Sequence, residues 1–129
     1  MDEVKLNAIG KLALNCAFRV HTALGPGLLE SSYKACLGYE LIKAGASVQM
    51  EVPVPLVYDG KKIADVGYRL DLLVENEIIL ETKSVEAISP VHRAQLLSYL
   101  RLSNRRLGYV LNFNVVSMKN GIARLVNDL

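Results

Sequence analysis

The stretch DLLVENEIILETK, from Asp71 to Lys83, carries two acids and a lysine at the ends of two apolar runs that meet at Asn76. A three-residue loop centred on Asn76 would pair Asp71 with Glu81 in an antiparallel hairpin. Because side chains alternate along a strand, Lys83 would lie on the same side as both acids. A two-residue loop would instead turn Asp71 to the other face. In the first register, the opposite side holds Leu72, Val74, Ile78 and Leu80.

Two chemistries account for these charges, because buried charge is costly unless it is paired or bound to a metal. Two carboxylates and an intervening backbone carbonyl form a hard-oxygen site suited to Mg²⁺, which keeps several waters and takes phosphate oxygens. Lys83 would then orient or deprotonate an attacking water and offset charge that develops on phosphorus. The alternative is a structural salt bridge of Lys83 with Glu81 or Asp71 at a strand end.

Residues on two predicted helices belong either to this site or to an ordinary surface. His92, Gln95 and Tyr99 are spaced by three and four, so they share one helical face. An amide and a phenol there can hydrogen-bond a phosphate or a base edge. The alternative, which we favour for His92, is a polar border beside an apolar stripe. In GLLESSY, Glu30 and Tyr33 lie on the first turn of another helix, where the helix dipole alone also favours a glutamate.

Periodicity and stop signals predict three helices and five strands. The helices run from about Val4 to Leu24, from about Leu29 to Lys43, and, after a Ser89 N-cap, from Pro90 to about Ser103. The strands are Val48–Tyr58, roughly Gly67–Val74 and Ile78–Ser84, then Arg106–Phe113 and Ile122–Val126. This order of elements predicts an α/β fold in which helices cover a mixed sheet.

The first predicted strand carries two opposing signals. Its even positions from Val48 to Tyr58 are all apolar, which predicts one buried face. Pro53 and Pro55 lie on the other face and lack a backbone donor, so the strand is expected at a sheet edge or at a bulge. Asp59-Gly60 then predicts a hairpin turn.

Composition bounds the class of protein rather than its chemistry. A chain of 129 residues with 51% apolar and 22% charged residues is typical of one globular domain, here residues 1–129, and not of a disordered chain. A net charge of +2 and a pI near 8.6 are too mild to indicate nucleic acid by themselves. Cys16 and Cys36 fall in helical apolar patterns and predict buried thiols in a reducing compartment. With no signal-peptide order and no apolar run of the roughly 20 residues that cross a bilayer, a cytoplasmic protein is expected.

Several segments together resemble the GxxExxY proteins of the PD-(D/E)XK nuclease superfamily. GLLESSY fits the signature through Gly27, Glu30 and Tyr33. Around it, the family's order of segments is found in GPGLLESSYKACLGYELIKAG, VPVPLVYDGKKI, YRLDLLVENEIILETKSVEAISPVHRAQLLSYL and RLGYVLNFNV. The resemblance extends from about His21 to Val126.

The resemblance implies a restriction-endonuclease-like core, a mixed four-stranded sheet flanked by helices, with a Mg²⁺ or Mn²⁺ site at one end of the central hairpin. Asp71 matches the metal-binding aspartate of that family, and Glu81 and Lys83 match the acid and the lysine of the (D/E)XK triplet. Glu30 matches the glutamate that completes the site in many members. The backbone carbonyl of Thr82 is expected to reach the metal.

The same resemblance implies a set of substrate contacts. Gln95 and Tyr99 match a Q-x-x-x-Y pattern of RecB-like nucleases, in which the helix borders the DNA path, and Tyr33 of the signature is predicted to bind substrate with them. The chain departs from the family pattern where Leu70 replaces a common proline and where Thr82 replaces a common leucine. Because only the Thr82 carbonyl is expected to reach metal, the second change is given little weight.

Two functions of different classes follow. The first is a Mg²⁺-dependent nuclease that hydrolyses phosphodiester bonds of DNA, with RNA as a weaker alternative substrate. Its basic rim for phosphates would come from Lys34, Arg69, Arg93 and Arg101. The second is a catalytically silent nuclease-fold module that binds nucleic acid or serves assembly, and the intact Asp71, Glu81 and Lys83 argue against it. The alternatives of a homodimer, through the proline-bearing edge strand or the first helix, and of a protein partner stay open.

Overall fold

The computed structural model describes residues 1–129, which form three helices and five strands in the predicted order. The helices are α1 (Glu3–Leu24), α2 (Glu30–Lys43) and α3 (Pro90–Leu102). The strands are β1 (Val48–Tyr58), β2 (Lys61–Val74), β3 (Ile78–Lys83), β4 (Leu107–Asn112) and β5 (Ile122–Val126), with a short 3₁₀ helix at Met118–Gly121 before β5. The expected α/β class is confirmed.

One mixed sheet carries all five strands in the order β1-β2-β3-β4-β5, one strand more than the resemblance implied. Only β3 and β4 are parallel, and helix α3 supplies the long connection that parallel neighbours need. Helices α1 and α2 pack on one face of the sheet, and α3 packs on the other. The central hairpin of β2 and β3 therefore lies between two helical layers.

The hairpin of β2 and β3 has the predicted register. Val74 pairs with Ile78, and a three-residue loop centred on Asn76 joins the strands. Asn76 and the residue before it adopt left-handed backbone conformations that allow so tight a reversal. The four apolar residues predicted for one side all lie in the core beneath α1 and α2: Leu72, Val74, Ile78 and Leu80.

Strand β1 lies at a sheet edge, as its two prolines predict, and its pairing with β2 shifts register on either side of Leu56. The expectation of one buried face is wrong, because three of its even positions are exposed: Met50, Leu56 and Tyr58. The reason is the length of the hairpin, since β2 begins at Lys61 rather than near Gly67. The distal part of the β1–β2 hairpin, ending in the predicted Asp59-Gly60 turn, extends beyond the helices as an arm.

Strand β2 changes face at Asp71. Leu70 packs in the cluster under α3, whereas Leu72 packs in the cluster under α1 and α2. Residues two apart normally share a face, so the strand rotates between these two leucines. In the facing strand, Glu51 lies between the partners of the two leucines and has φ of 53°, a left-handed conformation. The break in alternation therefore affects both strands at the level of Asp71.

Two expectations from composition have different outcomes. Cys16 is buried as predicted, but Cys36 is exposed. The buried residues of α2 are Tyr33, Leu37, Gly38 and Leu41, and Cys36 lies outside this stripe of the helix. No helix combines the length and the apolar character needed to cross a membrane.

Candidate active site

The two strands of the central hairpin part at Asp71 and Glu81. The last paired residues are Leu72 and Leu80, so one further step of the register sets the two acids opposite each other. Each acid accepts a hydrogen bond from the backbone of the other strand. The N–H of Asp71 donates to Glu81 Oε2 (2.8 Å), and the N–H of Thr82 donates to Asp71 Oδ2 (2.9 Å). The acids thereby replace the next bonds of the ladder and are held side by side.

Thr82 gives Asp71 a second contact, because its buried hydroxyl donates to the same Oδ2 at 3.2 Å. The departure from leucine at this position, which sequence reasoning discounted, thus supplies an additional donor. Asp71 Oδ1 and Glu81 Oε1 accept no hydrogen bond from the chain. These two oxygens are the ones open to a cation.

Burial makes it unfavourable for Asp71 and Glu81 to be ionised at the same time. The side chain of Glu81 is 5% exposed, and burial, followed by the charge of Asp71, raises its pKa to about 8. The pKa of Asp71 is also raised, mainly by burial, although hydrogen bonds from Thr82 and the charge of Lys34 oppose the shift. At neutral pH the metal-free pair therefore holds a proton, which a bound divalent cation would replace.

The donor set fits a hard divalent cation. Mg²⁺ is commonly held by one or two carboxylates, and water and substrate oxygens fill its other positions. Asp71 Oδ1, Glu81 Oε1 and the Thr82 carbonyl oxygen are ligands of that kind. No group of three or more His, Cys, Asp or Glu side chains is arranged to hold a metal, so the set depends on two side chains.

Glu30, predicted as the third carboxylate, lies at the start of α2 and is exposed. Its charge raises the pKa of Glu81, so it lies within electrostatic range of the pair. The structure nevertheless does not bring it into one ligand set with Asp71 and Glu81. It forms no ion pair.

Lys83 lies beside the acids without pairing to either. None of the four ion pairs in the chain includes it, so the predicted alternative, a salt bridge to Glu81 or Asp71, is not observed. The side chain is half-buried, and its charge lowers the pKa of Glu81. The strand end is fixed because the Phe113 N–H donates to the Lys83 carbonyl at 3.0 Å. The Lys83 ammonium group thus lies near the two acids and has no ion-pair partner in the chain.

Two residues approach Asp71 from the other side: Lys34, which was predicted only for the basic rim that contacts phosphates, and Glu51, which was not predicted at all. Lys34 of α2 forms an ion pair with Glu51 of β1, and its Nζ lies 4.0 Å from Asp71 Oδ1. The hydrogen bond with Glu51 is the main cause of the raised pKa of Lys34. The four-residue spacing from Glu30 places Lys34 on the same helical face and could have indicated it. No local pattern indicates Glu51, because its position depends on the break in strand alternation.

Tyr33 does not occupy the predicted substrate-binding position. Its ring is fully buried and stacks on Phe113, with 4.7 Å between ring centroids. Its hydroxyl donates to the Gly25 carbonyl (2.6 Å) and accepts from the Leu28 N–H (3.0 Å). The tyrosine therefore fixes the loop that leads into α2 and so positions Glu30.

We expect Tyr33→Phe to lower the free energy of unfolding by about 1–3 kcal/mol, because two hydrogen bonds in a partly buried loop are lost and the backbone groups of Gly25 and Leu28 lose their partner. Tyr39→Phe is the matched control, since Tyr39 is 65% exposed on the same helix, and should leave stability unchanged. Chemical denaturation measures both. A Tyr33→Phe protein of unchanged stability with weakened substrate binding would contradict the structural role.

Helix α3 brings Gln95 and Tyr99 to the border of the acid pair. Tyr99 is half-buried and stacks on Tyr68 with centroids 4.4 Å apart, and Gln95 lies one turn earlier on the same helix and is exposed. Burial, followed by the charges of Glu81 and Asp71, raises the pKa of Tyr99, which shows that its hydroxyl lies near them. His92, the third residue of this helical face, has a structural role, although it is a helix cap and not only the polar border that we favoured.

His92 forms a capping box with Ser89 at the start of α3. The His92 N–H donates to Ser89 Oγ at 3.1 Å, and the Ser89 N–H donates to His92 Nδ1 at 3.0 Å. Both groups satisfy helix-end donors that would otherwise lack a partner. The histidine therefore caps the helix that carries Gln95 and Tyr99.

Comparison with known proteins identifies one family. A family model described as the PD-(D/E)XK nuclease superfamily matches residues 7–125, a span that includes every residue of the candidate site. No curated protein matches the sequence.

Proposed function

Because the chain belongs to the PD-(D/E)XK nuclease superfamily, we propose that it is a Mg²⁺-dependent nuclease, with Mn²⁺ as a substitute, that hydrolyses phosphodiester bonds of DNA. The observation that supports this most is that Glu81 accepts a hydrogen bond from the Asp71 N–H and Asp71 accepts one from the Thr82 N–H, which aligns two carboxylates beside the unpaired ammonium group of Lys83. Such a grouping offers a cation, a phosphate oxygen and a water molecule adjacent positions.

Each residue of the site has a distinct task in this proposal. Asp71, Glu81 and the Thr82 carbonyl would hold the cation, which when bound lowers the pKa of water and polarises a phosphoryl oxygen. Lys83 Nζ orients the attacking water and offsets the charge that develops on the phosphate oxygens. Glu30, which is exposed and unpaired, would bind through a water molecule, since Mg²⁺ retains several.

Substrate contacts in the proposal come from α3 and from exposed arginines. The Tyr99 hydroxyl lies near the acids, and together with the Gln95 amide one helical turn away it would hydrogen-bond the strand to be cut. Three arginines are exposed and would neutralise flanking phosphates: Arg69, Arg93 and Arg101. Lys34, predicted with them, is engaged by Glu51 and is not available to this rim.

Two finer assignments belong to the proposal. The Gly27, Glu30 and Tyr33 spacing supports a place in the GxxExxY group of the superfamily. The thiols of Cys16 and Cys36 are both free, and they support action in the reducing cytoplasm.

The proposal predicts that Mg²⁺ or Mn²⁺ raises the unfolding temperature of the wild-type protein and leaves that of Asp71→Asn unchanged. At a metal concentration of about 100 times Kd, the stabilisation is about 2.7 kcal/mol. Asp65→Asn is the matched control, because Asp65 is an exposed acid of the β1–β2 arm whose partner is Lys62, and it should respond like wild type.

Cleavage assays on single-stranded, duplex and branched DNA, and on RNA, then test the reaction itself. Cleavage that needs metal and fails with Asp71→Asn supports the nuclease. Metal binding without cleavage of any substrate would instead favour the catalytically silent binding or assembly module. An equal metal response of wild type and Asp71→Asn would disprove the site.

A further inference from the structure

Lys34 faces the one oxygen of Asp71 that the chain leaves open. Asp71 Oδ2 is engaged by both the N–H and the hydroxyl of Thr82. Asp71 Oδ1 accepts no hydrogen bond, and the Lys34 ammonium lies 4.0 Å from it. An incoming cation therefore approaches the same oxygen that the ammonium already faces.

Glu51 gives the same ammonium a second place to bind. Its carboxylate pairs with Lys34 and is itself 48% exposed, whereas the Lys34 side chain is only 21% exposed. Glu51 is directed there by the left-handed backbone of β1 opposite Asp71. One lysine thus lies between two carboxylates, of which Asp71 is a proposed metal ligand and Glu51 is not.

We propose that Lys34 is a built-in cation that competes with the divalent metal for Asp71, and that Glu51 holds the ammonium when the metal binds. The inference deepens the proposed function and rests on it. Without metal, the ammonium offsets the charge of Asp71. A metal bound at Asp71 would repel the ammonium, and the ion pair with Glu51 would give Lys34 a position away from the metal. The pair therefore sets the metal affinity of the site.

This arrangement differs from an ordinary surface ion pair in its predicted coupling to metal. A salt bridge between Lys34 and Glu51 that served only to join α2 to β1 would leave metal affinity unchanged when broken from either side. Competition predicts opposite effects from the two sides. Loss of Lys34 removes the competitor, whereas loss of the Glu51 charge directs the ammonium towards Asp71.

Titration calorimetry with Mn²⁺ and Mg²⁺ on the full chain tests the inference. Lys34→Met is expected to bind metal about tenfold more tightly than wild type, and Glu51→Gln several-fold more weakly, on the order of the effect of a unit charge at this distance. Lys34→Gln provides a second variant and should match Lys34→Met. Lys43→Met removes one exposed charge from the last turn of the same helix and should bind like wild type.

The outcomes separate this inference from the proposed function. Wild-type binding with equal or weaker binding by both Lys34 variants would overturn the inference and leave the metal site standing. Binding by the Lys34 variants alone would support it, because the competitor would then mask the site. Absence of binding by all proteins would overturn both.

Discussion

Lys83→Met is expected to lower the rate of phosphodiester cleavage about 10²- to 10⁴-fold without weakening metal binding. Lys83 lies next to the acids and forms no structural ion pair, so its charge is available to the water and to the phosphate oxygens. Removing a positive charge from this position does not disfavour a cation. Single-turnover cleavage kinetics together with calorimetric metal titration would separate the two effects.

Lys119→Met is the control for this experiment, because Lys119 is exposed in the 3₁₀ helix and unpaired, and it should cleave at the wild-type rate. Retention of half the activity by Lys83→Met would exclude a catalytic role for the lysine. Parallel loss of cleavage and metal binding would mean that Lys83 assembles the site instead of acting in the reaction.

The metal-free protein is expected to lose stability as pH rises, and Glu81→Gln is expected to remove most of that loss. The folded chain keeps the Glu81 proton up to about pH 8, whereas the unfolded chain releases it near the ordinary value of 4.5. Between these values the folded state binds more protons, so the free energy of unfolding falls with rising pH and levels off above about 8. The slope is on the order of 1 kcal/mol per pH unit, which amounts to a few kcal/mol across the window.

Denaturant titrations at pH 5, 6, 7 and 8 in the presence of a chelator would measure this slope. Glu81→Gln keeps an oxygen that can accept from the Asp71 N–H but has no proton to lose, so its profile should be flatter. Saturating Mg²⁺ at pH 8 should restore much of the wild-type stability, because the cation binds the deprotonated pair. Equal slopes in both proteins would contradict the burial of an ionisable Glu81.

The central site could be predicted because its geometry is local in sequence. A short loop sets the register of one hairpin, and alternation along two strands then determines the neighbours of Asp71 and Glu81. Gln95 and Tyr99 could be predicted for a similar reason, since helical spacing places them on one face. The order of helices and strands follows from periodicity in the same way.

The opposite side of the site depends on pairing between distant segments. Glu51 reaches Lys34 only because β1 and β2 change face together at Asp71, and neither sequence shows that break. The motif predicted that Tyr33 binds substrate, but the tyrosine is buried because it stacks on Phe113 from another part of the chain. A motif identifies which residue is present, whereas its contacts are set by the tertiary structure.

The hydrogen bonds that Asp71 and Glu81 accept across the hairpin also bear on when the site forms during folding. Each carboxylate uses one oxygen to accept a backbone hydrogen bond across the hairpin, and its other oxygen would bind the cation. Before β2 and β3 pair, the two acids are separate and fully hydrated, so the unfolded chain offers a divalent ion no preformed site. The metal site would thus form only once β2 and β3 have paired as far as Asp71 and Glu81.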